Sequence, residues 1–179
     1  MPSRLVAYDP RWPAAFERFA DELRRHGSDR WRIEHIGSTA VPGMIAKPII
    51  DIAVRVMDTV EFEAHRPALE NAGWRVGSGV RTHPVAILER QGVRASIAHF
   101  FDERVWDAVN QRILRDWLRA HPKDAELYRS AKIAAEFAAR KGGSYNAAKT
   151  TVIQEIVDRA RAARGLASVP VHDKRTPPE

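Results

Sequence analysis

Cysteine is absent from all 179 residues. That absence excludes a disulfide scaffold, a thiolate metal site and a thiol nucleophile together. No apolar run is long enough to span a bilayer, so no membrane partner is expected. The opening MPSRLVAYDP lacks the apolar stretch of a signal peptide, which predicts a cytoplasmic product. Internal repeats are also missing. What remains is an ordinary globular composition, 44% hydrophobic and 29% charged. The length suits one domain with a single core, expected over residues 1–165, with 166–179 as a disordered tail. A formal charge of +6 permits a polyanionic partner, although an arginine-rich solvated surface produces the same number.

Hydrophobic periodicity divides the chain into two halves. Phe16, Phe19, Ala20 and Leu23 recur at helical spacing after Pro13, predicting a first helix that Asp9 caps. Trp31 to Ile36 reads as a short strand. Pro48 to Met57 reads as a second, with Ile50, Ile52, Val54 and Val56 on one face and Asp51, Ala53 and Arg55 on the other. Asp58 or Thr59 opens a helix to Asn71, and Trp74 to Gly79 is a short strand or loop. Val85–Arg90 and Val93–Phe101 form a hairpin across Gln91-Gly92. Beyond Asp102 three helices are expected. The first is a continuous stripe through Val105, Trp106, Val109, Ile113, Leu114, Trp117 and Leu118, the second starts at Pro122, and Ser144 caps the third after Gly142-Gly143. The fold class is therefore α+β: a small mixed β-sheet flanked by helices, with a helical C-terminal half.

The segment from Glu34 to Val56 carries the chemistry. Gly37-Ser38 lies about a dozen residues ahead of Asp51, so a backbone turn and a carboxylate can face one pocket. Glycine lets the backbone approach a phosphate closely, and the Ser38 hydroxyl can donate to it. Asp51, on the polar face of its strand, can hold Mg²⁺ or Mn²⁺. Two residues on, where a second metal carboxylate would stand, the chain has Ala53.

The blocks VAYDPRWPAAFERF, IEHIGSTAVPGMIAKPIIDI, RDWLRAHPKDAELYRSAK and SYNAAKTTVIQEI resemble the GrpB family in order, over residues 4 to about 160. The resemblance implies a nucleotidyltransferase-like fold. In that wider superfamily a Gly-Ser turn meets the nucleotide phosphates and paired acids two residues apart bind metals; Gly37, Ser38 and Asp51 match, and Ala53 departs. Glu34, Glu89 and His99 are the acids and histidine that can complete a metal shell around Asp51. His35 adjoins the turn and can join His99 and Asp51 on a transition metal. Lys47 and Lys149 can neutralise phosphate charge, with Lys132, Arg94 and Tyr145 as further pocket residues. Trp106, Trp117 and Tyr128 fall on apolar stripes and read as core.

Two readings of the pocket stay open on this evidence. One is a metal-dependent enzyme that moves a nucleotidyl group from an NTP to a small acceptor. The other is a non-catalytic module that binds a nucleotide or other phosphorylated ligand. RNA is a third partner that the charge permits, through the run Arg159–Arg164 and the tail VHDKRTPPE, but no nucleic-acid motif accompanies it.

Overall fold

The expected α+β order appears in a computed structural model that describes residues 4–77, 82–140 and 145–171, without the side chains at 139, 140 and 145–148. In chain order the elements are α1 (Trp12–His26), β1 (Arg32–Ile36), β2 (Ile50–Val56), α2 (Thr59–Asn71), β3 (Trp74–Gly77), β4 (Val85–Arg90), β5 (Val93–Asp102), α3 (Asn110–Ala120), α4 (Pro122–Arg140) and α5 (Tyr145–Ala162). Short 3-10 turns at Ser38–Ala40 and Glu103–Ala108 link them. The strands form one mixed sheet in the order β1-β2-β5-β4-β3, with β2 and β5 parallel and every other pair antiparallel.

Strand alternation decides what each face of this sheet meets. Ile50, Ile52, Val54 and Val56 are buried with Ala98 and Phe100 against Trp12, Phe16, Ala20 and Leu23 of α1 and Phe62 and Leu69 of α2. Each such side chain, fully removed from water, contributes about 1.5–3 kcal/mol. The opposite face carries Asp51, Ala53 and Arg55. There Ile36, Ala53 and Phe101 pack with Trp106 and Val109. Leu118, Tyr128 and Ile156 of α3, α4 and α5 close over Val41 and Met44, which follow the Ser38 turn. The helical half is thereby fastened to the loop that carries the Gly-Ser pair.

Helix α2 begins as its sequence predicts. The Asp58 carboxylate accepts from the Glu61 backbone N–H at 2.9 Å, and Glu61 reaches back to accept from Met57 N–H at 2.6 Å. Asp58→Ala leaves the Glu61 N–H without its acceptor and is expected to cost about 1 kcal/mol, read as a lower urea midpoint with an unchanged m-value.

Two expectations are corrected here. The stripe after Asp102 is not one helix: Glu103–Ala108 is a 3-10 turn, and α3 starts only at Asn110. The Asp102 carboxylate caps the turn by accepting from Arg104 N–H at 2.8 Å, and Val109 is extended, which breaks the α-helical run. Residues 166–171, expected within a disordered tail, run back beside α5. Gln154 accepts from Val171 N–H at 2.6 Å and donates to the Val169 carbonyl at 3.0 Å, while Arg161 donates to the Ala167 carbonyl. Those side chains supply the backbone partners that the segment's lack of periodicity could not reveal. Residues 172–179 and the expected Gly142-Gly143 stop and Ser144 cap lie outside the described residues. No helix among the described residues is long and apolar enough to cross a membrane.

Candidate functional site

The β1–β2 register pairs Ile36 with Asp51, so the chain leaving β1 must turn directly beside that carboxylate. Gly37 makes the turn at φ 73°, a conformation that side chains disfavour. A Cβ placed there would lie 2.6 Å from Asp51 Oδ2 and 3.0 Å from its Cβ. Glycine is required twice over, by the backbone and by the carboxylate against it. Ser38 then opens the 3-10 turn, and its Oγ accepts from Lys132 Nζ at 2.7 Å and sits 3.4 Å from the Tyr128 hydroxyl.

Lys132 is 4% exposed, which is unusual for a lysine. Burial, and secondarily the charge of Lys149, push its ammonium down to about 7; Asp51 opposes the shift and Lys47 adds to it. Lys149, Asp51 and Lys47 therefore all act electrostatically on the lysine that is bonded to Ser38. Tyr128, read from sequence as core, is buried as expected, but its hydroxyl is turned to the same serine. Burial raises its pKa, against the Ser38 hydrogen bond that lowers it.

The acids are arranged differently from the expectation. Glu34 pairs with Ala53 across the strands and so shares the Asp51 face. Its carboxylate is already taken: Arg112 holds both oxygens, Nε to Oε2 at 2.9 Å and Nη2 to Oε1 at 3.0 Å, and Arg115 Nη2 lies 2.9 Å from Oε2. Glu89 stands two strands from β2, half-exposed and paired with Arg75 at 3.4 Å. Arg94 is its partner across the hairpin and is likewise exposed, so neither reaches the turn.

His99 does come to Asp51. It pairs with Ala53 on the adjoining parallel strand, and its Nε2 lies 3.8 Å from Asp51 Oδ1. Its Nδ1 is 2.9 Å from His83 Nε2, and His83 Nδ1 is 2.9 Å from Thr82 Oγ1, making a chain from Asp51 outward. His35 is on the wrong side for this. One residue before Ile36, it points to the core face, stacked on Phe16 with ring centroids 4.9 Å apart and bonded to Thr39 Oγ1 at 2.9 Å. Burial, with Arg119 nearby, lowers its imidazole to about 4, which keeps it neutral. Shared ligation by His35, His99 and Asp51 is thereby excluded by strand parity.

These donors do not fit a paired-magnesium centre. Ala53 offers no ligand atom, and both Glu34 oxygens are spent on guanidinium groups. Among the described residues no group of three or more histidines and acids is arranged to hold a metal ion. Tyr145 opens α5, but its side chain lies outside the described residues. The arginines Arg159 to Arg164 are tied internally: Arg159 to Asp124 at 2.8 Å, Arg161 to Asn110 at 2.7 Å and Arg164 to Asp116 at 3.0 Å.

A five-stranded mixed sheet with a Gly-Ser turn against an aspartate is a nucleotidyltransferase-like fold, and known structures agree. The match to the GrpB protein of Enterococcus faecalis has a TM-score of 0.77 at 24% identity, covering 90% of this chain and 99% of that one. Terminal uridylyl transferase 4 from Trypanosoma brucei, solved with bound dUTP, matches at TM-score 0.55 and 15% identity, covering 92% of this chain and 57% of that one. The family model described as GrpB protein matches residues 2–159. A UPF0157 protein of Halalkalibacterium halodurans is 35% identical over 164 residues, 88% of this chain and 82% of the relative. The chain belongs to the GrpB family.

Proposed function

We propose that this protein binds a phosphorylated small molecule, with a nucleoside triphosphate as the leading ligand, and neutralises its phosphates with lysines rather than with a metal held by paired acids. The observation that supports it is the buried Lys132, bonded to Ser38 beside Asp51 with Lys47 and Lys149 acting on it. Burying an ammonium costs several kcal/mol, and two further cations nearby raise that cost. A bound polyphosphate would offset both terms. The uridylyl transferase with dUTP shows only that this fold can carry a nucleotide; the lysines are this chain's own argument.

Calorimetric titration with ATP, GTP, CTP, UTP and pyrophosphate, each with magnesium or with EDTA, tests the reading. Binding is expected to persist in EDTA and to weaken by about 10- to 100-fold in Lys47→Ala or Lys149→Ala, since each would remove a charge-assisted contact. Affinity should fall as pH rises through about 7, where Lys132 loses its proton. A strict requirement for magnesium would restore the metal-dependent nucleotidyl-transfer reading. Absence of binding to every one of these anions would end the proposal.

A further inference from the structure

The contact between Ser38 and Lys132 has a second chemical use. Ser38 follows a strand and a glycine at positive φ and sits at the first position of a helical turn. That Oγ is 2.7 Å from the amine of Lys132, a residue 4% exposed, and 3.4 Å from the Tyr128 phenol. Serine is a weak nucleophile until an adjacent base removes its proton, and a desolvated lysine beside other cations is one such base. Lys149 on α5, Lys47 ahead of β2, and Asp51 on β2 are the charged groups that act on Lys132, with Tyr128 on its own helix.

We propose that Ser38 and Lys132 form a nucleophile–base pair that attacks a phosphoanhydride phosphorus of the ligand bound at this site. Lys132 Nζ, as the free amine, takes the Ser38 hydroxyl proton while an Oγ–P bond forms. The bridging P–O bond breaks, and the leaving group departs with the electron pair, its charge offset by Lys47 and Lys149: pyrophosphate after attack at the α-phosphorus, a nucleoside diphosphate after attack at the γ-phosphorus. The product is a phosphate ester of Ser38, and the proton rests on Lys132. No metal, oxidant or further reactant enters the balance. The inference rests on the phospholigand reading above, and it separates from that reading in its pH dependence. Anion binding weakens as Lys132 deprotonates, whereas attack by Ser38 strengthens, so the two change in opposite directions through about pH 7.

The test incubates the full chain with ATP, GTP, CTP and UTP in EDTA, follows intact mass and locates any adduct by peptide mass spectrometry, with binding measured in parallel. A phosphoryl or nucleotidyl mass on Ser38 is expected, absent in Ser38→Ala and lost in Lys132→Met. Its rate at saturating ligand should rise with pH to a plateau above about 7 in the unaltered protein, a readout that stands even where the Lys132 variant folds poorly. Binding without an adduct overturns the nucleophile assignment and leaves the ligand reading intact. An adduct on another residue, or a rate indifferent to pH across that range, overturns it as well. Neither binding nor adduct overturns both.

Discussion

Replacing Glu34 with alanine is expected to lower the free energy of unfolding by about 3 kcal/mol, the usual cost of stranding a buried charge. The carboxylate and two of its three arginine partners are nearly withdrawn from water: side-chain exposure is 15% for Glu34, 10% for Arg112 and 9% for Arg115, while the third, Arg32, is 55% exposed. Arg112 is further committed, lying 4.2 Å over the Trp106 ring and donating to the Trp106 carbonyl at 2.7 Å, so it cannot swing out to solvent cheaply. Arg115 donates to the His35 carbonyl at 2.8 Å. The pair therefore fastens α3 to β1, immediately before the Gly37 turn. Urea denaturation of Glu34→Ala against the unaltered chain measures the cost, and a change below about 0.5 kcal/mol would mean that the cluster is solvated and contributes like a surface pair.

The same carboxylate makes a signed prediction in pH. Burial alone would raise its pKa, but the bonds from Arg112 and Arg115 outweigh that and hold it down at about 2, against 4.5 for an unperturbed glutamate. Its stabilisation is complete above pH 4.5 and is lost as pH falls towards 2. His35 acts in the window above. Its folded value of about 4 lies below the ordinary 6.5, so between those values the unfolded chain binds the proton first and stability falls as acid is added. The urea midpoint should thus decline in two stages, and Glu34→Ala should flatten only the lower one.

Gly37→Ala is expected to abolish binding at the candidate site and to destabilise the fold. Gly43 provides the control, because its φ of 75° nearly equals the 73° of Gly37 while nothing lies within 4 Å of its added Cβ. Gly43→Ala bears only the backbone strain, about 1 kcal/mol, and should retain ligand affinity. Gly37→Ala bears a backbone strain of its own, at φ 73° and ψ −172° where essentially only glycine is found, plus a methyl 2.6 Å from Asp51 Oδ2. Either the carboxylate or the turn must move, and Ser38 moves with the turn. Equal affinities in the two variants would show that the Gly37–Asp51 contact has no part in ligand binding.

Much of the frame was legible along the chain. Alternation in β2 assigned Asp51 and the isoleucines to opposite faces, and the hairpin closed across Gln91-Gly92 as its flanking runs predicted. Asp58 capped α2 where capping chemistry placed it. The Gly-Ser turn and Asp51 also met as their spacing suggested. Misjudged residues share a feature, which is that their roles depend on contacts between distant segments. Arg112 and Arg115 sit among the apolar residues of a strongly amphipathic helix, but only the arrival of β1 supplies the acid that lets them be buried. His35 looked like a neighbour of the turn, and one step of strand parity sent it into the core instead. The meeting of His99 with His83 was not legible in the sequence, since nothing local requires the rings to meet.

The chain by itself determined most of the elements and the identity of the turn, because these follow from short-range periodicity, capping and the allowed backbone of glycine, while the fold family came from the resemblance of its sequence blocks to GrpB proteins. It also determined that Ala53 cannot hold a metal, since a methyl group has no donor atom. Only the tertiary structure decided what meets Ser38. Lys132 is 94 residues from Ser38 in sequence, and no periodicity links them. Their 2.7 Å contact exists because Leu118, Tyr128 and Ile156 pack onto Val41 and Met44, drawing the helical half over the turn and taking the lysine out of water as it comes.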